Sequence, residues 1–349
     1  MMEFGVTYTA DKNFADVLWG VKRAEELGFS FVGIPDTPYQ SMDVYPYLAA
    51  CALQTSRIKL GPYITNPLTR HPSITASAMA TIQVMSNGRA FLAMGRGNSA
   101  VKQLGWKPAS WKQYRQAIPD IRRWMRGEAV DVEGSPVPLR LEFTEGAIPI
   151  SLGVWGPRGA QVAGELADCA TTECAEVGAV AWFAEKTQKA AQAAGRAPID
   201  FEVSSATFVS DDIHKAREIC RWEPDILTSL LWGLVQTCPP EELPSSLMKG
   251  FETLIEDKPS WQKYDWDSHR IDIVGFEAAM ADEGHRKLLT DEMVDRFCVL
   301  GSVEACVEKL RELESVGVNR FCAYLFGLDR EELDRQLRAY AERIMPHFQ

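Results

Sequence analysis

The chain has 349 residues, 46% of them hydrophobic and 24% charged, with a formal net charge of -11 and a mean hydropathy of -0.17. That composition supplies one large core and excludes an extended disordered chain. The acidic balance excludes nucleic acid as a main partner, because phosphate binding needs a basic footprint, and no apolar run reaches the roughly 18 residues of a membrane span.

The N-terminus, MMEFGVTYTADKNF, has neither a basic leader nor an apolar stretch after it, so a cytoplasmic location is expected. Eight cysteines, at positions 51, 169, 174, 220, 238, 298, 306 and 322, include no CxxC pair and no histidine cluster beside them. A reducing compartment fits, and neither a disulfide framework nor a bound metal is expected.

Residues 3–8 (EFGVTY) read as a strand, followed by a helix with Phe14, Val17, Leu18, Val21 and Ala24 on one face, closing at Gly28. FSFVGI (29–34) is a short buried strand ending at Pro35-Asp36. A helix over 44–55 leads to the strand IKLGPYI (58–64), and Pro72 opens a helix that stops at Asn87-Gly88. RAFLAMG (89–95) is the fourth strand. The alternation then pauses at 128–147, a Gly-, Pro- and Glu-rich excursion read as a hairpin or loop. It resumes with IPISLGVW (148–155), a helix over 158–166, the strand 167–173, a helix over 179–194 and the strand 200–210. Residues 220–290, rich in Trp and Pro, read as a helical insertion or lid. VDRFCVLGS (294–302) leads into an amphipathic helix carrying Val303, Cys306, Val307, Leu310 and Leu313. The strand 319–326 and a helix over 329–345 end the chain.

About eight strand–helix units predict a single α/β domain over 1–349, a (β/α)8 TIM barrel with insertions, the largest at about 220–290. An open doubly wound sheet competes, but its Gly-rich first turn is missing: the first strand runs into Thr-Tyr-Thr-Ala-Asp. In a barrel the site lies at the carboxyl ends of the strands. That selects Thr7–Asp11, Asp36 and Thr37, Tyr63–Asn66, Gly95–Asn98, Trp155–Gly159 and Glu173, with Arg70 and His71 just beyond the third strand.

Read as residues, most of these positions leave two meanings open. The third-strand end, GPYITNP followed by TRHP, is either a loop shaped for a ligand or a plain βα turn with proline at the helix start. Arg96 between Gly95 and Gly97 is either an anion clamp or a surface pair. Gly156-Pro157-Arg158-Gly159 joins a strand to a helix start, where free N–H groups, the helix dipole and a guanidinium suit phosphate; a simple cap with a solvated arginine reads equally well. Trp222, Trp232, Trp261 and Trp266 in the insertion are either core or an aromatic pocket.

Taken in order, GPYITNP with TRHP, SNGRAFLAMGRGNSAVKQLG and PISLGVWGPRGAQVAGELAD resemble the luciferase-like monooxygenase superfamily. The branch they are most similar to is that of methylenetetrahydromethanopterin reductase and other coenzyme F420-dependent oxidoreductases. The resemblance implies a non-proline cis peptide at Tyr63–Ile64, in a bulge that backs the deazaflavin ring. Thr65 and Asn66 would border the ring or its ribityl chain, and Asp36 its polar edge. Arg96, Gly97 and Asn98 would line the cofactor, with Trp155 and the Gly156–Gly159 loop receiving its phosphate. Asp36, Arg96 and His71 are then the candidates for polar catalytic roles. Two departures matter. Asp36-Thr37 stands where the sugar-phosphate dehydrogenase branch has Asp-His, so that histidine's chemistry is not transferred, and GRGNS replaces a frequent GRGDS, putting Asn98 in place of a carboxylate.

The resemblance implies hydride transfer between F420 and an unsaturated or carbonyl-type small molecule, by a homodimer. The competing readings are an FMN-dependent monooxygenase using reduced flavin and oxygen, and a barrel with a binding role and no catalysis.

Overall fold

Short apolar strands that alternate with helices bury both faces, and only a parallel sheet covered on both sides allows that. The computed structural model describes residues 1–8, 14–38, 41–224, 227, 233–234, 237–249 and 289–349. Among these residues the strands are β1 (Glu3–Tyr8), β2 (Phe31–Ile34), β3 (Lys59–Pro62), β4 (Leu92–Met94), β5 (Ile150–Gly153), β6 (Cys169–Glu173), β7 (Asp200–Val209), β8 (Val299–Gly301) and β9 (Arg320–Leu325). Their order is β3-β2-β1-β9-β7-β6-β5-β4, and every ladder is parallel. Two isolated bridges, Leu60↔Ala90 and Thr65↔Met94, join β3 to β4 and close the ring. This is the expected TIM barrel.

The count differs in one respect. Eight strands form the ring, while β8, read above as one of the units, pairs with the last residues of β7 (Thr207↔Val299 to Val209↔Gly301). The barrel strand that follows β7 in the ring is β9. A second difference is the helix Trp111–Met125, which lies between the fourth strand and the 128–147 excursion, where the sequence reading has no element. Pro119 inside it masks the periodicity, because proline removes one helical bond and crowds the preceding turn. Its start was nevertheless written in the sequence: Ser110 and Gln113 form a reciprocal capping box. The excursion 128–147 is pinned by a single antiparallel bridge, Val130↔Leu139. The C-terminal helix Arg330–Ala339 passes into a π-helical turn over Tyr340–Ile344.

Strand residues alternate between two cores. Outward residues such as Phe4, Val6, Val32, Ile34, Leu92 and Met94 pack under the helices in the main apolar core. Inward residues fill the barrel, and three glycines set how. A Cβ on Gly5 would lie 2.2 Å from the Phe31 ring, one on Gly33 2.4 Å from Cβ of Tyr63, and one on Gly61 2.8 Å from the Phe91 ring. Each glycine therefore makes room for the aromatic side chain of the next strand. Phe31 and Phe91 meet edge to face at 6.0 Å.

All eight cysteines are free and buried. Among the described residues no helix is long and apolar enough to cross a membrane, and no group of three potential ligands is placed to hold a metal. Of the segment read as an insertion or lid, residues 225–226, 228–232, 235–236 and 250–288 lie outside the described residues, so Trp232, Trp261 and Trp266 are not placed. Trp222 is: it packs on Tyr324 at 5.0 Å and on Phe326 at 5.3 Å.

Candidate active site

The seam between β3 and β4 shapes the mouth of the barrel. Between the two bridges β3 advances from 60 to 65 while β4 advances from 90 to 94, so β3 carries one extra residue. One strand with a surplus residue must bulge. The bulge holds a cis peptide at Tyr63–Ile64, as the resemblance implied. Its two side chains part. Tyr63 points down the barrel, where its hydroxyl donates to Glu202 Oε1 at 2.5 Å and shares a hydrogen bond with Thr171 Oγ1 at 2.8 Å. Glu202, 1% exposed, also pairs with Arg320 at 3.3 Å. Burial first, and then the Glu202 charge, push the Tyr63 phenol well above its ordinary value. Ile64 points the other way. Its Cδ1 reaches to 2.8 Å from where a Cβ on Gly95 would stand and to 3.1 Å from one on Gly153, and the residue stays 38% exposed. It forms an apolar platform at the mouth.

The Tyr63 hydroxyl braces this platform from below. Tyr63→Phe is expected to lower stability by about 1–3 kcal/mol, the cost of leaving a buried carboxylate short of a donor. Urea denaturation would check it; an unchanged midpoint would show that the phenol's bonds carry no load.

Beside the bulge, Asp36 has no exposed side-chain surface. It accepts from Thr65 Oγ1 at 2.6 Å and from Arg70 Nη1 at 2.8 Å. Arg70 also reaches Asp43 at 2.7 Å and lies 4.7 Å over the Tyr45 ring. The Asn66 side chain accepts from the N–H groups of Leu68 and Thr69 at 2.9 and 3.0 Å, folding the loop onto itself. Three of the sequence-selected residues, Asp36, Thr65 and Asn66, are thus brought together as the frame of one loop. His71 is not among them. It is exposed and caps the helix Pro72–Met85, its Nδ1 accepting from the Ser73 N–H.

Across the mouth, Arg96 and Ala109 exchange hydrogen bonds, Arg96 Nε to Ala109 O at 2.7 Å and Ala109 N to Arg96 O at 2.9 Å. The guanidinium lies 4.3 Å over Trp111. Burial and, secondarily, the charge of Arg158 lower its pKa, which places the two cations within each other's field. Among the described residues neither pairs with a carboxylate, so an anion between them would relieve the repulsion. Arg158 is exposed, in the first turn of the helix Pro157–Leu166, where amides lack helical partners. Gly156 caps that helix with φ 101°, a backbone only glycine adopts easily, and Trp155 packs edge-on against Phe183 at 5.9 Å. Gly97 takes φ 95° next to Asn98, which precedes the short helix Ser99–Lys102 without capping it through its side chain.

Glu173 ends β6 on the same strand face as Thr171. Burial pushes its carboxyl up to about 7. Nearby, Glu223 is fully buried; its Oε2 accepts from the backbone of Ala206 and from Ser205, and its Oε1 has no hydrogen-bond partner among the described residues. Burial and the charge of Glu173 raise it well above the carboxylate range.

The family model described as luciferase-like monooxygenase matches residues 1–320. The chain belongs to the luciferase-like monooxygenase family. Among curated relatives, the 5,10-methylenetetrahydromethanopterin reductase of Archaeoglobus fulgidus is 30% identical over 332 residues, covering 92% of this chain and 93% of that protein. The F420-dependent glucose-6-phosphate dehydrogenase of Microbacterium testaceum is 25% identical, covering 93% and 90%. Among solved structures, the coenzyme F420-dependent tetrahydromethanopterin reductase of Methanopyrus kandleri superposes with a TM-score of 0.75 at 22% identity, covering 100% of this chain and 99% of that one.

As a luciferase-like protein, then, the chain had its platform and its arginine corner marked in the sequence. Two groups were missed, and two were named without their part in the site. Glu173 was named among the strand ends but given no role, since nothing local reveals a desolvated carboxyl. Arg70 was noted without its partner, and Glu202 and Arg320 sit at strand starts, inside the barrel and away from the mouth.

Proposed function

We propose that this protein is an oxidoreductase that transfers hydride between coenzyme F420 and a small organic molecule with an unsaturated or carbonyl-type bond. The observation that carries this reading is the platform: one surplus residue in the third strand, and Ile64 laid over two glycines. A flat ring finds there an apolar floor with polar groups at its rim. When bound, the deazaflavin supplies or accepts the hydride; the chain binds it, orients it and excludes water. The family's F420-dependent relatives favour this cofactor over FMN.

The residues present fit such a group. Arg96 and Arg158, with the amides at the Gly156–Gly159 turn, suit its phosphate, flanked by Trp155, Pro157, Gly97 and Asn98. Thr65 and Asn66 hold the loop beneath the ring, and Asp36 keeps that loop rigid through Arg70. His71 is engaged in capping and has no proton-transfer role in this scheme. Leu234 stands at the mouth, where its side chain would lie 2.8 Å from a Cβ on Gly156; we assign the insertion it belongs to the part of a lid. A cytoplasmic homodimer completes the reading, and sedimentation would test the assembly.

Anaerobic fluorescence titration decides the cofactor. F420 is expected to bind and FMN to bind far more weakly. Tight FMN binding without F420 binding would move the protein to the monooxygenase reading, and binding of neither would leave a non-catalytic barrel. Arg158→Gln is expected to weaken F420 binding about tenfold, roughly 1.4 kcal/mol, for loss of one charge-assisted contact. An unchanged affinity would put the phosphate elsewhere.

A further inference from the structure

Adding hydride to the carbon of a C=O or C=N bond leaves an electron pair on the heteroatom, which needs a proton in or near the same step. Most ionisable groups at the strand ends are committed. Asp36 is held by Arg70 and Thr65, Arg96 and Arg158 are permanent cations, and His71 caps a helix. Glu173 is not committed: it is partly exposed, and no described residue hydrogen-bonds its carboxyl.

Its position follows from register. Thr171 pairs with Gly153, the glycine under Ile64, and Tyr63 reaches Thr171 from the bulge. Glu173, two residues on, projects from the same face one pleat higher, on the strand next to the platform. The groups turned towards it are Glu202 and Ser204 of β7, Cys322 and Tyr324 of β9, and Glu223 beyond the helix Ile213–Cys220, with Cys174 next to it on its own chain. Burial holds Tyr324, Cys174 and Glu223 all in their neutral forms, so Glu223 adds no charge while Glu173 gives up its proton.

We infer that Glu173 is the proton donor of the reducing direction and the proton acceptor of the reverse. This rests on the hydride-transfer reading proposed above. In the step, hydride from the reduced deazaflavin forms a C–H bond, and the π pair of the C=O or C=N bond moves to the heteroatom. That pair takes the proton as the Glu173 O–H bond breaks, and the carboxylate left behind is reprotonated from water. Its pKa of about 7 matches the task at neutral pH.

Two measurements test this. In the cofactor-free protein, the infrared carbonyl absorption of protonated carboxyls should contain a component that is present at pH 5, fades with a midpoint near pH 7 and is missing from Glu173→Gln, while the Glu223 contribution persists in both proteins. With reduced F420 and either acetone or a cyclic imine as acceptor, Glu173→Gln should bind F420 as the parent does yet lose at least about 100-fold in kcat, with Glu173→Asp recovering part of it. The parent's kcat should fall tenfold per unit of pH above the midpoint. A Glu173 already ionised at pH 5, or a Glu173→Gln protein with parental kcat, overturns the inference. If the parent binds no F420 while the infrared band titrates as described, the hydride-transfer reading fails and takes the donor role with it. If F420 binds but neither acceptor turns over, the infrared titration alone decides.

Discussion

Replacing Arg70 by methionine is expected to destabilise the protein by about 3–5 kcal/mol, the usual consequence of stranding a buried charge. Asp36 has no exposed side-chain surface, and its two oxygens depend on Arg70 and on the Thr65 hydroxyl. With the guanidinium gone, the carboxylate keeps a single neutral donor in a low-dielectric setting, where an unpaired charge is far more costly than in water. Asp36→Asn is expected to be milder, because it removes the charge and keeps a group that hydrogen-bonds. The double variant should then be more stable than Arg70→Met alone, since no buried charge is left without a partner. Guanidinium denaturation of the three variants tests the argument. If Arg70→Met stays within 1 kcal/mol of the parent, the pair does not hold the loop, and the frame proposed beneath the cofactor ring loses its basis.

Gly61→Ala is the second large effect. A Cβ there would stand 2.1 Å from the Phe91 carbonyl oxygen and 2.8 Å from its ring. Backbone cannot swing aside as a side-chain tip does, so β3 must move away from β4. That seam is held by two isolated bridges with the bulge between them, and a shift there displaces both the ring closure and the Ile64 platform. We expect a loss of about 3 kcal/mol, at the upper end of overpacking costs, together with loss of F420 binding in whatever folded protein remains. A Gly61→Ala protein that melts with the parent and binds F420 equally would mean that the strands part without consequence.

The strand and helix order was largely readable from periodicity, because every barrel strand is buried on both faces and every long helix shows one apolar side. Where this failed, the reason was local or topological. Pro119 interrupted the pattern of the helix Trp111–Met125, and nothing in VDRFCVLGS distinguishes a strand in the ring from one that only extends the end of β7. Part of the site was readable for the same reason as the fold: strand ends in a barrel converge, so Tyr63, Ile64, Arg96 and Arg158 could be named from position. Glu173 had the position as well, but what sets it apart is its surroundings, which come from other strands.

By itself, then, the amino-acid sequence determined a barrel, its family and the loop that bulges. These depend on interactions within a strand or between successive strands. Only the tertiary structure decided which polar groups are free. Asp36 meets Arg70 across 34 positions, Tyr63 meets Glu202 across 139, and Arg320 arrives from the far end of the chain. Ring closure brings these groups together in low dielectric, where each pairing fixes a charge or holds a proton. The same closure leaves Glu173 beside the platform without a hydrogen bond from any described residue.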